Sequence, residues 1–109
     1  DDAVPYPIVA TDIDGLVITN GYWEGSLKGL SLNDCPGFRW LNQTIVDQAV
    51  SGTLPGSGTE VFRDLGGNDN GWIDMMRCVG FTASEDVTGG STGITYEPGG
   101  IPHTINTTP

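Results

Sequence analysis

Turn-forming residues interrupt this chain so often that its folded form must be assembled from short pieces. Gly occurs 17 times and Pro seven times in 109 residues, and the apolar runs between them are brief. Such runs, carrying Val, Ile, Thr, Tyr and Trp, suit strands better than helices. Leu16-Val17-Ile18-Thr19 reads as a buried strand, residues 59–63 as another, and residues 72–81, with the richest apolar content, as a central one. Asn20-Gly21 is the strongest hairpin signal, with Tyr22-Trp23-Glu24 as its return strand. Asn33 to Gly37 is a turn, and Glu97-Pro98-Gly99-Gly100 carries the Pro-Gly order of a type II turn. Pro102 pushes the last strand toward a sheet edge.

One stretch reads differently. Phe38, Leu41, Ile45 and Ala49 recur at three- and four-residue spacing, with Trp40 beside them and Asn42, Gln43, Asp47 and Gln48 on the other side. That periodicity predicts a short amphipathic helix over residues 38–50, stopped by Ser51-Gly52. No internal repeat of fixed period is evident, and the Gly-, Ser- and Thr-rich segments are of loop length. The expectation is a single mainly β domain, sandwich-like, built of short strands with one short α-helix and spanning residues 11–109. Residues 1–10, with Pro5 and Pro7 forbidding a helix, form an extended N-terminal arm ahead of it.

Charge narrows the function classes. Four Lys and Arg face fourteen Asp and Glu, a net charge of -10. Phosphate backbones are held by clustered cations, so nucleic acid is not an expected partner. An anionic membrane surface would repel the chain, and no run is long or apolar enough to span a bilayer, so membrane insertion is not expected either. The acidity serves solubility, or points to cation binding or a saline setting.

Cys35 and Cys78 are the only thiols. Neither belongs to a C-x-x-C pair, which argues against thioredoxin chemistry and four-thiolate zinc. Distant cysteines in a chain of this composition predict one structural disulfide. It would close a loop of about forty residues and contribute about 4 kcal/mol in the chain-entropy model. A disulfide in turn implies an oxidising compartment. The opening Asp1-Asp2-Ala3 reads as a processed N-terminus, and the disulfide, the scarce Lys and the two sequons lead to the expectation of an extracellular or cell-surface location.

Chemistry-bearing motifs are sparse. Asn68, Asn70 and Asp74 around Gly71 resemble the middle of a calcium loop, with Asp64 able to contribute from upstream. Counting from that Gly puts Gly66 and Arg77 where an EF-hand needs carboxylates, so only an irregular Ca²⁺ site fits, and no other cofactor is expected. Asp12 and Asp14 beside Gly15 read first as a polar turn, and as a cation or acid/base pair second. His103 is the only histidine, beside Pro102 near the end of the sequence, and no G-x-S-x-G elbow accompanies it. The chain is therefore expected not to be an enzyme, although paired-carboxylate glycosidase chemistry needs only two acids. Trp23, Trp40 and Trp72 read as core, with sugar stacking as their functional alternative. Two sequons, Asn42-Gln43-Thr44 and Asn106-Thr107-Thr108, offer Asn42 and Asn106 as glycosylation acceptors.

The arm completes the picture. Val4, Tyr6, Ile8 and Val9 are apolar on a segment that prolines keep extended. Either the arm pairs in its own sheet, or it augments the sheet of a neighbouring copy, which repeated head to tail gives a fibre. The expected function is a structural subunit of an extracellular filament, pilus-like fibre or surface coat, a glycoprotein whose partners are other copies of itself. A secreted carbohydrate- or calcium-binding module, with glycans as partners, is the alternative.

Overall fold

The structure is a computed structural model and describes residues 6–24, 28–46, 59–79, 83–96 and 105–106. These form twelve strands, with no helix among the described residues. The first circuit of the chain holds β1 (Ile8–Thr11), β2 (Val17–Thr19) and β3 (Tyr22–Trp23). The second holds β4 (Lys28–Asn33), β5 (Arg39–Leu41) and β6 (Thr44–Val46). The third holds β7 (Thr59–Asp64), β8 (Trp72–Asp74) and β9 (Arg77–Val79), and the fourth β10 (Ala83–Asp86) and β11 (Thr95–Tyr96), before β12 (Ile105–Asn106).

Every pairing is parallel. One sheet runs β1-β4-β7-β10-β12, a second β11-β8-β5-β2, and a third β3-β6-β9. Each of the first three circuits therefore lays one strand in each sheet, the fourth adds a strand to the first two sheets, and each circuit stacks on the previous one at the usual strand spacing of about 4.8 Å. The architecture is a parallel β-solenoid, each coil packing only on its neighbours.

The corners explain why the chain turns where it does. Asp12, Asn20, Asp34, Asn42, Asn70 and Met75 have φ between 53° and 61°, and Gly15, Gly37 and Gly93 between 69° and 76°. Three of these columns are legible in register: Asp12 over Asp34, Gly15 over Gly37, and Asn20 over Asn42. Left-handed φ is tolerated by Gly and, less readily, by Asn and Asp, so these residues set the corners. Between corners the strands turn one face inward. Ile18, Trp40, Ile73 and Tyr96 form one interior column, and Trp23, Ile45 and Cys78 another. Leu30, Leu32, Phe38, Trp40, Val61, Phe62 and Ile73 are fully buried. Trp40 meets Trp23 edge-on at 5.8 Å and lies 6.1 Å from Phe62, while Phe38 and Phe62 lie 5.6 Å apart. Gly71 is required beside them, because a Cβ there would overlap the Phe38 ring.

Several expectations are corrected. The helix over residues 38–50 is absent where the segment is described: β5 and β6 occupy it, and residues 47–50 lie outside the described residues. The three- and four-residue spacing arose because Asn42 bends the chain between two strands, so Trp40 and Ile45 both point inward while Leu41 is only half-buried. The sheets stack coil on coil, not as a sandwich, and Asn20-Gly21 is a corner between different sheets, not a hairpin. A repeat does exist. Ile8 lies beside Leu30, Val17 beside Arg39 and Tyr22 beside Thr44, a constant offset of 22 residues. It is written as D-x-x-G-apolar-x-apolar-x-N at Asp12 to Asn20 and again at Asp34 to Asn42. The next offset lengthens to 32 between Leu30 and Phe62 and 33 between Arg39 and Trp72, which hides the period.

The Cys35–Cys78 disulfide is also corrected: both thiols are free. Cys35 is buried at the corner after β4, its Sγ 3.5 Å from Asn33 O and 3.7 Å from Ala10 O. Cys78 stands in the third sheet beside Ile45. The two occupy different columns of the coil, and disulfide geometry demands adjacent ones.

Candidate functional site

Three places on the solenoid concentrate polar chemistry or unusual exposure. The first is internal. Asp64, buried at the end of β7, accepts hydrogen bonds from Gly66 N–H at 2.8 Å, Asn68 Nδ2 at 2.6 Å, Ser91 Oγ at 2.6 Å and Ser91 N–H at 3.0 Å. Asn68, fully buried, accepts from Cys35 N–H at 2.8 Å and donates to Leu32 O at 3.0 Å. Asp69 accepts from Thr92 N–H at 2.9 Å. This bracket joins three successive coils at one corner and satisfies backbone groups the corner leaves without ladder partners.

The calcium-loop residues have those duties, or none in common. Asn68 is consumed by the bracket, Asn70 is an exposed corner residue, and Asp74 lies in β8, where it accepts from Met75 N–H at 2.7 Å. No three His, Cys, Asp or Glu side chains gather to hold a metal among the described residues. Asp12 and Asp14 are exposed at the first corner. A cavity of about 240 Å³ lies above the bracket, lined by Asp64, Val87, Ser91, Gly93, Ile94 and Tyr96. Burial, then the nearby Glu85 carboxyl, pushes the Tyr96 phenol far above its ordinary value. The same two causes raise the Cys78 thiol to about 11.

The second place is the outer face of the first sheet. Tyr6 lies across it, its ring 4.2 Å from the Arg63 guanidinium and 5.3 Å from Lys28 Nζ, its hydroxyl bonded to Glu60. Lys28 also pairs with Glu60 at 3.4 Å. Burial and the Glu60 hydrogen bond push the Tyr6 phenol well above its usual range. Of the arm residues expected to serve assembly, Tyr6 is thus engaged within its own chain, and Ile8 and Val9 belong to β1. Val4 lies outside the described residues.

The third place is the end of the solenoid formed by the first coil. Sequence reasoning named Ile8 and Val9 there but not Ile13, Val17 or Tyr22, all of which are exposed. Ile8 stands in the column of Leu30, and Ile13 at the corner position that Cys35 takes one coil later. Leu30 and Cys35 are 0% exposed, whereas Ile8 and Ile13 are 37% and 41% exposed. The signal for this lay in the 22-residue offset, which shows the two isoleucines to be core positions.

Among the remaining candidates, Trp40 is core, Trp23 packs against the core with its Nε1 donating to Gln43 Oε1 at 2.6 Å, and Trp72 is half-buried on the outside with Arg39 5.6 Å from its ring. Asn42 is an exposed corner residue, its Nδ2 2.5 Å from Asn20 Oδ1. His103 lies outside the described residues, as does the side chain of Asn106, whose backbone is in β12. No family model, curated protein or solved structure matches this chain.

Proposed function

We propose that this chain is a non-enzymatic structural subunit of an extracellular filament or coat, assembling end to end through its first coil. The observation that carries the reading is the partial exposure of Ile8 and Ile13, core positions by register whose counterparts one coil later, Leu30 and Cys35, are fully buried. A parallel solenoid favours such assembly for a geometric reason. All strands run one way, so the two ends of each sheet are complementary by translation along the axis, and a contact of that kind does not close. A coil docked on β1 would extend its ladder, as in β-augmentation. With 37% and 41% of their surface still open, Ile8 and Ile13 would each contribute roughly 0.5–1 kcal/mol on full burial.

With both cysteines free, the extracellular location rests on the acidity, the single lysine and the sequons. A carbohydrate-binding module has less support, since only Trp72 of the three tryptophans offers its ring on an outer face and Arg39 already covers it.

Sedimentation velocity over a range of concentrations, with negative-stain microscopy, tests the proposal. Elongated species should grow with concentration, and Ile8→Lys with Ile13→Lys should abolish them while leaving a folded chain, because both side chains lie at the rim of the first coil, where a lysine ammonium can reach water. A wild-type protein that stays monomeric at high concentration refutes the reading. So does a double variant that polymerises as well as the wild type.

A further inference from the structure

At the corner of the solenoid where the second sheet meets the third, a sequon stands beside an exposed aromatic ring. Asn42 sits at this corner with φ 57°, exposed to solvent, and its sequon partner Thr44 opens β6. Thr44 lies directly beside Tyr22 of the preceding coil. Tyr22 is the most open large apolar side chain among the described residues, 65% exposed on the outer face of the third sheet. An exposed aromatic ring thus stands one strand away from the acceptor sequon, on the same side of the molecule.

We infer that Asn42 carries an N-linked glycan whose first sugars lie on the Tyr22 ring. The inference rests on the extracellular location in the proposed function, and not on assembly. In the transfer, Nδ2 attacks C1 of a lipid-pyrophosphate-linked oligosaccharide. The Nδ2–C1 bond forms, the C1–O bond to pyrophosphate breaks, the lipid pyrophosphate leaves, and Nδ2 gives up one of its two protons. The other proton stays, so the bond from Asn42 Nδ2 to Asn20 Oδ1, 2.5 Å long, has a donor after modification. The glycan covers apolar ring surface that would otherwise face water, a favourable exchange. Its position also has a consequence for assembly. Tyr22 points outward from the wall of the first coil, whereas Ile8 and Ile13 are core positions of that same coil, so the glycan lies on its flank and close to the proposed stacking end.

The test uses the full chain secreted from a eukaryotic host, with Asn106→Gln so that a single sequon remains. Intact mass should show one N-glycan, lost in Thr44→Val. The same chain made in a bacterial cytosol supplies the unglycosylated form. The glycosylated form should melt several degrees higher, and Tyr22→Ser should remove most of that difference while changing the unglycosylated form little. Secreted, folded protein with Asn42 bare overturns the inference. A Tyr22→Ser effect equal in both forms overturns the platform. A monomer bearing the glycan would sink end-to-end assembly alone, and a polymer with Asn42 bare would sink this inference alone.

Discussion

Asn68→Ala should unfold much of the margin of this protein, and the size of the effect follows from three hydrogen bonds. The side chain is fully buried. Its Oδ1 satisfies Cys35 N–H at 2.8 Å, and its Nδ2 serves Leu32 O at 3.0 Å and Asp64 Oδ1 at 2.6 Å. Truncation leaves a buried N–H without its acceptor, removes one donor from a buried carbonyl, and takes one of the donors around the Asp64 carboxyl. An unsatisfied buried group costs about 1–3 kcal/mol, and somewhat more beside a carboxylate. The losses share one network and do not add fully. A combined loss of about 3–5 kcal/mol is expected, a large part of the 5–15 kcal/mol typical of a domain. Urea denaturation followed by tryptophan fluorescence measures it, since Trp40 reports on the core. The midpoint should fall sharply with the m-value unchanged. A loss below about 1 kcal/mol would mean that the bracket does not hold the three coils together, and the reasoning fails.

Other outcomes follow from single positions. Gly71→Ala should destabilise by about 1–3 kcal/mol by driving a Cβ into the Phe38 ring, with partial rescue by Phe38→Leu, both read from thermal melts. Met75, at φ 53° where the two preceding coils place Asn, should accept Asn with a gain of about 0.5–1 kcal/mol, seen as a higher Tm. Cys78, Tyr6 and Tyr96 all have pKa values raised in the fold, from ordinary values of 9.0 for the thiol and 10.0 for the phenols. Their stabilising contribution is complete below pH 9 and is lost as pH climbs toward 11 and above, because the unfolded chain ionises first. Urea midpoints that stay flat from pH 8 to pH 11 would contradict this. Thiol labelling of unreduced, denatured protein should count two reactive cysteines, and native protein should react slowly at pH 7 because Cys35 is buried and Cys78 holds its proton.

Much of the candidate surface was only half legible in the chain. Ile8 and Val9 could be picked out because prolines set the segment apart, but the exposure of Ile8 became informative only through Leu30, its successor one coil later, and Ile13 was found only through Cys35. Asn42 was recognisable as a sequon, yet the periodicity around it suggested a helix, and Tyr22 had no visible connection to it. The calcium-like loop acquired other contacts in the fold. Asn68 Oδ1 accepts from the Cys35 backbone N–H, and Asp64 Oδ1 accepts from the Gly66 N–H and from Asn68 Nδ2.

What the sequence determined by itself was local: short strands, frequent corners and a mainly β fold. These depend on residue-level preferences, such as left-handed φ at Gly, Asn and Asp and extended backbone at Val, Ile, Thr and Trp, which need no distant partner. The direction and order of pairing were decided only in the tertiary structure. An Asn-Gly corner and an Asn-Gly hairpin look alike over four residues, and alternating apolar strands serve parallel and antiparallel sheets equally. Choosing between them depends on contacts made 22 to 33 residues apart, Val17 on Arg39 and Arg39 on Trp72, where the Phe38 ring fits only because Gly71 sits in the next coil. The cysteines belong to that same level: their spacing allowed a bond, and the solenoid placed them in different columns.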